Sequence, residues 1–212
     1  MIKLEKTEVM NMENAIRGMR NPLNSWDKKD SVFDWNTCSY HIGSNDLTLA
    51  KRLTKAGSDH RKFLRQIFVS VDITAPLYWW KEMDQYKVGT TTNSCSTMHK
   101  IHAKEFTFDD FSHEHLYTRL GESYEAMDCL ADIIDCLNKY RSLYIETKDK
   151  LWWWQMIQLL PSSYNQLRTM TLNYETLCNI YRARKHHKLD EWVTLTKWIE
   201  SLPYAKELIC YD

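Results

Sequence analysis

RQIFVSVDITAPLYWWKEMDQYKVGTTTNSCSTMHKIH, residues 65–102, holds the pattern from which the fold follows. Ile67, Val69, Val71 and Ile73 alternate with Gln66, Phe68, Ser70 and Asp72, the period of two that marks a strand with one buried face. Ala75-Pro76 ends that strand and opens a helix, because proline at the first helical position gives up no hydrogen bond. The helix carries Leu77, Tyr78, Trp79, Trp80, Met83 and Tyr86 and stops near Gly89. Residues 89–97 are then small or polar, broken only by Cys95. A buried strand, a tryptophan-rich helix and a polar loop form a scaffold that can present a site. A plain surface crossover is the other reading of the same loop.

Working outward, 212 residues suffice for one large domain with a real core, and the expectation is a single domain over residues 1–212 with a loop-rich segment at 21–46. Lys and Arg number 28 and Asp and Glu also 28, so no general attraction to nucleic acid or to an anionic membrane follows. Five Gly and four Pro favour long helices over tight hairpins. MIKLEKTEVMNMEN has no apolar run of signal-peptide length, and LWWWQMIQLL at 151–160 is too short for a membrane span and meets Pro161. The six cysteines form no C-x-x-C pair and read as reduced core thiols, which points to a cytoplasmic protein.

Residues 2–10 fit a short edge strand and 12–19 a short helix ending before Asn21-Pro22. Residues 21–46 are turn-rich, with Trp26, Phe33 and Trp35 as anchors of a candidate lid. A helix over 47–56 takes Ser44 or Asn45 as cap, turns Leu47, Ala50, Leu53 and Thr54 inward, and stops at Gly57. The basic run His60-Arg61-Lys62, with Arg65, leads into the strand. Residues 104–111 are strand or extended chain, and 112–120 a short helix ending at Gly121. The longest helix is expected over 122–147, with Tyr124, Met127, Leu130, Ile133, Ile134, Leu137, Tyr140 and Tyr144 on one face. Residues 151–160 are apolar nearly all round and should be buried, a candidate subunit contact. A helix over 165–183 would place Leu167, Met170, Tyr174, Leu177, Cys178 and Tyr181 inward. Residues 189–201 form a last amphipathic helix, and Pro203 opens a short terminal one. The fold class is α/β in the mixed α+β sense.

Three constellations could carry chemistry. Arg182, Arg184, Lys185, His186, His187 and Lys188 either answer the negative end of a helix dipole or line an anion pocket. His99 with His102, and His113 with His115, have chelating spacing, but no carboxylate or thiol completes a ligand set, so no metal is expected. Ser94, Cys95 and Ser96 have His99 and His102 nearby as bases, yet no G-x-S-x-G elbow frames them. Trp79-Trp80 and residues 152–154 read as core rather than as a base-stacking platform.

The order of these pieces resembles the flavin-dependent thymidylate synthases. That family sets a Gly- and His-rich helix before a strand, opens the next helix with Ala-Pro, and follows it with R-H-R, a spacer and N-E-x-S-x-R-Y. Here Asp59-His60 precedes the strand, Ala75-Pro76 opens the helix, and residues 93–99 (NSCSTMH) stand in the signature's place. A second match runs through Leu160-Pro161, Asn173, Leu177, Asn179 and then Arg182 or Arg184. Together the likeness spans roughly residues 47–199. Gln85-Tyr86-Lys87 replaces R-H-R, Ser94 replaces the Glu and Met98-His99 the Arg-Tyr, so Asn93 and Ser96 are what survives of the signature's core.

The resemblance implies a small central sheet flanked by long helices, in a homotetramer that shares its sites between subunits. It implies reductive methylation of dUMP to dTMP, with FAD, NADPH and methylenetetrahydrofolate, by a methyltransferase of this family. Carried over, Arg184, Arg182 and Ser96 are the catalytic candidates. His60, Lys87, Asn93 and Asn173 are the cofactor candidates; Lys87, Ser94, Ser96, His99 and Arg184 are the substrate candidates. The lost arginines imply weakened FAD binding, since a Lys keeps charge without the planar fork. The alternative is a non-catalytic protein on the same fold that sequesters a nucleotide or signalling nucleotide.

Overall fold

β1 (Lys3–Met10) leads into α1 (Met12–Gly18), the hairpin β2 (Val32–Asp34) and β3 (Ser39–His41), and α2 (Ser44–Lys55). Next come β4 (Phe68–Pro76), α3 (Leu77–Met83), β5 (Thr91–Ser94), α4 (Ala126–Thr147) and α5 (Lys150–Leu159). β6 (Asn165–Asn173), α6 (Tyr174–Arg184), α7 (Asp190–Ser201) and α8 (Ala205–Leu208) complete the chain. These elements belong to a computed structural model that describes residues 2–117 and 125–211. The fold is mixed α/β: four strands form one sheet in the order β1-β4-β6-β5, with β1 at an edge as expected, and β2 pairs antiparallel with β3.

The chain divides into two units. The larger takes residues 4–72, 86–92 and those from 169 on; the smaller takes 73–85 and 93–168 with the residues before 4. In the larger unit the core draws Ala15 and Ile16 from α1, Val69 and Val71 from β4, Leu177 and Ile180 from α6, and Trp192 and Ile199 from α7, all buried. α6 packs on α7 and on a 3-10 turn at Lys62–Gln66. In the smaller unit α4 packs on α5, and Leu130, Ile134, Leu137 and Met156 join Ile101, Phe106 and Phe111 in one apolar cluster.

β4 bears out the alternation at the heart of the sequence, for Val69, Val71, Ile73 and Ala75 are buried and Phe68, Ser70, Asp72 and Thr74 are not. Pro76 takes the capping position of α3 with extended backbone, one place before the first helical residue. α3 closes at Met83 rather than near Gly89, and part of the expected polar loop is the exposed strand β5.

The largest correction concerns residues 165–183. Their first half is β6, in which Gln166, Met170 and Leu172 are buried at even spacing and Asn173, at the junction with α6, is buried too. The helical spacing of Leu167, Met170 and Tyr174 is a coincidence across a strand–helix junction: Leu167, inward on a helix, is 38% exposed on the strand.

Trp26 and Trp35 do not anchor residues 21–46, being 55% and 82% exposed. Neither Ser44 nor Asn45 caps α2. Asp30 does so from a distance, accepting from the backbone N–H of Asn45 at 2.8 Å and of Asp46 at 3.0 Å. Gly43 permits this, since a Cβ there would stand 2.3 Å from the Asp30 carboxyl carbon.

Phe108–Asp110 is a 3-10 turn, and Phe111 bridges to Tyr164. Residues 112–117 are not helical; the expected continuation to Gly121, and Tyr124 of the longest helix, lie outside the described residues. α5 is not buried all round in the single chain: Met156 is buried, but Leu151, Trp154 and Leu159 are exposed. Of the six cysteines, all free, Cys178 is the buried one, and Cys38, Cys95, Cys129 and Cys136 are exposed, against the expectation of core thiols. Among the described residues no helix is long and apolar enough to cross a membrane.

Candidate functional site

In the larger unit the candidates gather along α6. Asn173 caps its N-terminus, the carboxamide oxygen accepting from the backbone N–H of Thr176 at 2.9 Å. The Thr176 hydroxyl in turn lies 2.9 Å from the carbonyl oxygen of Val88. Gly89 follows with φ +72°, and a Cβ on it would stand 2.4 Å from Asn173 Nδ2. At the other end of α6, Arg184 Nε donates to the Tyr86 hydroxyl at 2.9 Å. The Arg184 guanidinium lies 4.5 Å from the ring centre of Trp192. Residues 86–89 therefore lie beside α6, with the Tyr86 side chain reaching its last turn and Val88 and Gly89 lying against its cap. Lys87 rides on this segment with its side chain exposed, so Lys87, Asn173 and Arg184 are brought to one helix.

Arg182 and Arg184, two positions apart, point to different sides of α6. Arg184 packs on Tyr86 and Trp192, while the exposed Arg182 lies 4.5 Å from the ring centre of Tyr211.

A residue that sequence reasoning passed over holds the helix in place. Arg61, read as one of a basic run, is buried at 6% exposure. Its Nε sits between the Glu175 carboxylate oxygens at 3.0 and 2.8 Å, Nη1 donates to the Tyr211 hydroxyl at 2.9 Å, and Nη2 donates to Asn179 Oδ1 at 3.2 Å. The Tyr211 hydroxyl donates in turn to the carbonyl oxygen of Thr54 at 2.9 Å. Burial pushes the Tyr211 phenol up, against the pull of Arg61, so the proton needed for that bond is retained. Nothing in the run His60-Arg61-Lys62 itself marks Arg61 as the cation that turns inward. His60 sits elsewhere, in a cavity of about 460 Å³ with Asn21, Asp59, Lys62 and Gln66, and none of the α6 candidates lines it.

The smaller unit holds the other four candidates. Asn93 and Ser94 are exposed on β5. Beyond them the backbone of Cys95 is fixed to β6, its N–H donating to Leu167 O at 2.9 Å and its carbonyl accepting from Gln166 Nε2 at 2.7 Å. Ser96 Oγ accepts from the backbone N–H of His99 at 2.9 Å; the contact is a turn, not a nucleophile meeting an imidazole. His99 lines a cavity of about 420 Å³ with Met98, Tyr144, Lys148, Lys150 and Trp153. Among the described residues no group of three or more His, Cys, Asp or Glu is placed to hold a metal ion.

The structure of flavin-dependent thymidylate synthase ThyX from Helicobacter pylori, complexed with FAD and dUMP, matches with a TM-score of 0.68 over 98% of this chain and 97% of that one. The fold is that of the flavin-dependent thymidylate synthases. A second structure of ThyX from Helicobacter pylori, also with FAD and dUMP, matches with the same TM-score over 99% and 97%. Sequence identity is 16% in both, so the likeness is one of fold. No family model matches the chain, and no curated protein matches it by sequence.

Both of these structures hold FAD, and the candidate cofactor residues of this chain fit a flavin poorly. Asn173 is committed: its oxygen closes the first turn of α6 and its Nδ2 faces Gly89. In the larger unit His60 and Lys87 remain, two exposed side chains with no guanidinium fork between them. A pyrophosphate cradle relies on such forks or on converging backbone N–H groups. These residues do not make one.

Proposed function

We propose that this protein binds a pyrimidine nucleotide on a flavin-dependent thymidylate synthase fold, and that its activity is the reductive methylation of dUMP to dTMP. The observation that carries this reading is the fold match along nearly the whole chain to structures holding FAD and dUMP. Arg184 is the residue proposed to grip the pyrimidine. Its bond to Tyr86 and its packing on buried Trp192 fix the guanidinium plane before a ligand arrives, which lowers the ordering cost of binding. A fixed cation beside a uracil oxygen would also stabilise the negative charge that develops as the ring is activated. Lys87, with Lys185 and Lys188, supplies charge for the phosphate, and Arg182 is a further proposed contact; Asn93, Ser94, Ser96 and His99 are proposed as contacts that the smaller unit offers within the homotetramer. A cytoplasmic homotetramer is the proposed setting, with the exposed Leu151, Trp154 and Leu159 of α5 meeting other subunits. NADPH and methylenetetrahydrofolate are the proposed co-substrates, and FAD the proposed cofactor, bound weakly because no guanidinium fork cradles its pyrophosphate.

A second reading, nucleotide binding without turnover, has its own support in the commitment of Asn173 and the missing guanidinium forks. One experiment separates the two. Both expect dUMP to raise the melting temperature, because a ligand that binds the native state alone stabilises it. Both expect Arg184→Ala to abolish that rise. C5-tritiated dUMP with FAD, NADPH and methylenetetrahydrofolate should release tritium to water if the protein is the enzyme. A shift without release selects the binder, and no shift with any pyrimidine nucleotide refutes both.

A further inference from the structure

Away from α6, the larger unit holds a cavity of about 460 Å³ between α2 and the turns at Asn21–Leu23 and Trp26–Lys28. Three cations line it, Arg20, Lys28 and Arg52, and no acidic side chain does. Asn45, Thr48 and Arg52 arrive from α2 at intervals of three and four, which places them on one face of that helix. Ser25 adds a hydroxyl, and Leu23 and Leu49 an apolar wall.

Arg20 gives this cavity its chemistry. It is 3% exposed, with Nε donating to Asp46 Oδ1 at 2.5 Å and Nη1 lying 3.2 Å from Ser25 O and 3.3 Å from Ser25 Oγ. Nη2 is buried with no hydrogen-bond partner. A guanidinium carries five N–H donors, and leaving a buried pair of them without an acceptor is costly enough that native proteins nearly always provide one. Asp46 balances the charge of Arg20, and Asp30 is turned to the backbone of α2. Lys28 and Arg52 are exposed, and none of the ion pairs among the described residues includes them. An anion in this cavity would meet the exposed cations of Lys28 and Arg52, the Arg20 side chain in its wall, and the amide and hydroxyls of Asn45, Thr48 and Ser25.

We infer that this cavity is a binding site for a phosphomonoester of a small organic molecule. A dianion suits two balancing cations, and Arg forks pair with phosphate oxygens in two parallel bonds. The volume lies in the range of small-molecule sites and exceeds what a bare ion fills, while Leu23 and Leu49 offer surface to the organic part. The site is separate from the pyrimidine reading of Arg184, with which it shares no residue.

Phenyl phosphate tests this, alongside inorganic phosphate and phenol, by calorimetric titration of the full chain. Saturable one-to-one binding is expected, tightest for phenyl phosphate, weaker for inorganic phosphate and absent for phenol. Lys28→Ala with Arg52→Ala, both at exposed positions, should leave the apo melting temperature unchanged and weaken phenyl phosphate by about a hundredfold, roughly tenfold for each charge-assisted contact. Arg184→Ala should leave phenyl phosphate binding as it is. The inference is overturned if phenyl phosphate does not bind, if phenol binds as well, if inorganic phosphate binds more tightly, or if the double variant binds normally. Loss of binding in Arg184→Ala instead would assign the phosphate to the pyrimidine site and overturn this one.

Discussion

Gly89→Ala should be among the most damaging single-methyl changes in the larger unit. Two costs combine. At φ +72° an L-residue is strained by about 1–2 kcal/mol. The new Cβ would also stand 2.4 Å from Asn173 Nδ2 and 3.1 Å from Thr176 Oγ1, so the cap of α6 must move. Loss of such a cap costs about 1 kcal/mol. Together these give about 2–3 kcal/mol, or roughly 4–12 °C in melting temperature for a chain of this length. Gly57→Ala is the internal control. Gly57 has φ +104°, but nothing lies within 4 Å of its Cβ position, so backbone strain alone applies and about 1–2 kcal/mol is expected. Urea denaturation of both variants, and of each in an Asn173→Ala background, completes the measurement. Removing the Asn173 carboxamide removes the closer clash and the cap and leaves the milder contact with Thr176 Oγ1, so Gly89→Ala should then cost little more than its strain of about 1–2 kcal/mol, and the pair should be less than additive. Equal costs for the two glycines, or strict additivity with Asn173→Ala, would refute the claim that residues 86–89 are seated against the start of α6.

Arg61→Ala should destabilise by about 3–5 kcal/mol in urea titration, because it leaves the Glu175 carboxylate buried without its cation. Asp72 accepts from the Thr169 hydroxyl at 2.6 Å and pairs with Lys6 at 3.1 Å, and these contacts hold its carboxyl below the ordinary 3.8. The unfolded chain therefore binds the proton first as pH falls; the contribution is whole above pH 3.8 and is lost below it, and the melting temperature of Asp72→Asn should fall less than that of the parent across that window. Light scattering should report a mass well above the 25.4 kDa monomer if α5 meets partner chains, and Leu151→Ser with Trp154→Ser should lower it; a parent that is monomeric at micromolar concentration would refute the tetramer.

β4 was legible in the sequence because its alternation of apolar and polar residues is long and sits beside Ala75-Pro76. β6 was not, because nine residues of strand run straight into α6 and the combined apolar positions mimic a single helical period. The junction was marked only by Asn173, whose capping role shows once Thr176 is seen to donate to it. β5 carries no apolar residue, so hydropathy gave it no signal at all. The start of α2 was misplaced for a different reason: its capping carboxylate lies fifteen residues upstream, beyond the reach of any local pattern. At the candidate site the basic end of α6 was plain from residues 182–188. What charge counting could not show is that Arg61 turns inward while its neighbours do not, or that Arg182 and Arg184 serve different faces.

The distant cap of α2 also bears on how the chain acquires its structure. With no start signal of its own, α2 has two N-terminal N–H groups without an acceptor until Asp30 arrives. The intervening residues include the β2–β3 hairpin, whose closure carries residue 30 toward residue 45. Closing so short a loop costs little entropy, and the helix and hairpin each complete the other. Amide hydrogens in the first turn of α2 and in the β2–β3 ladder should therefore become protected from exchange together during refolding, as one cooperative unit.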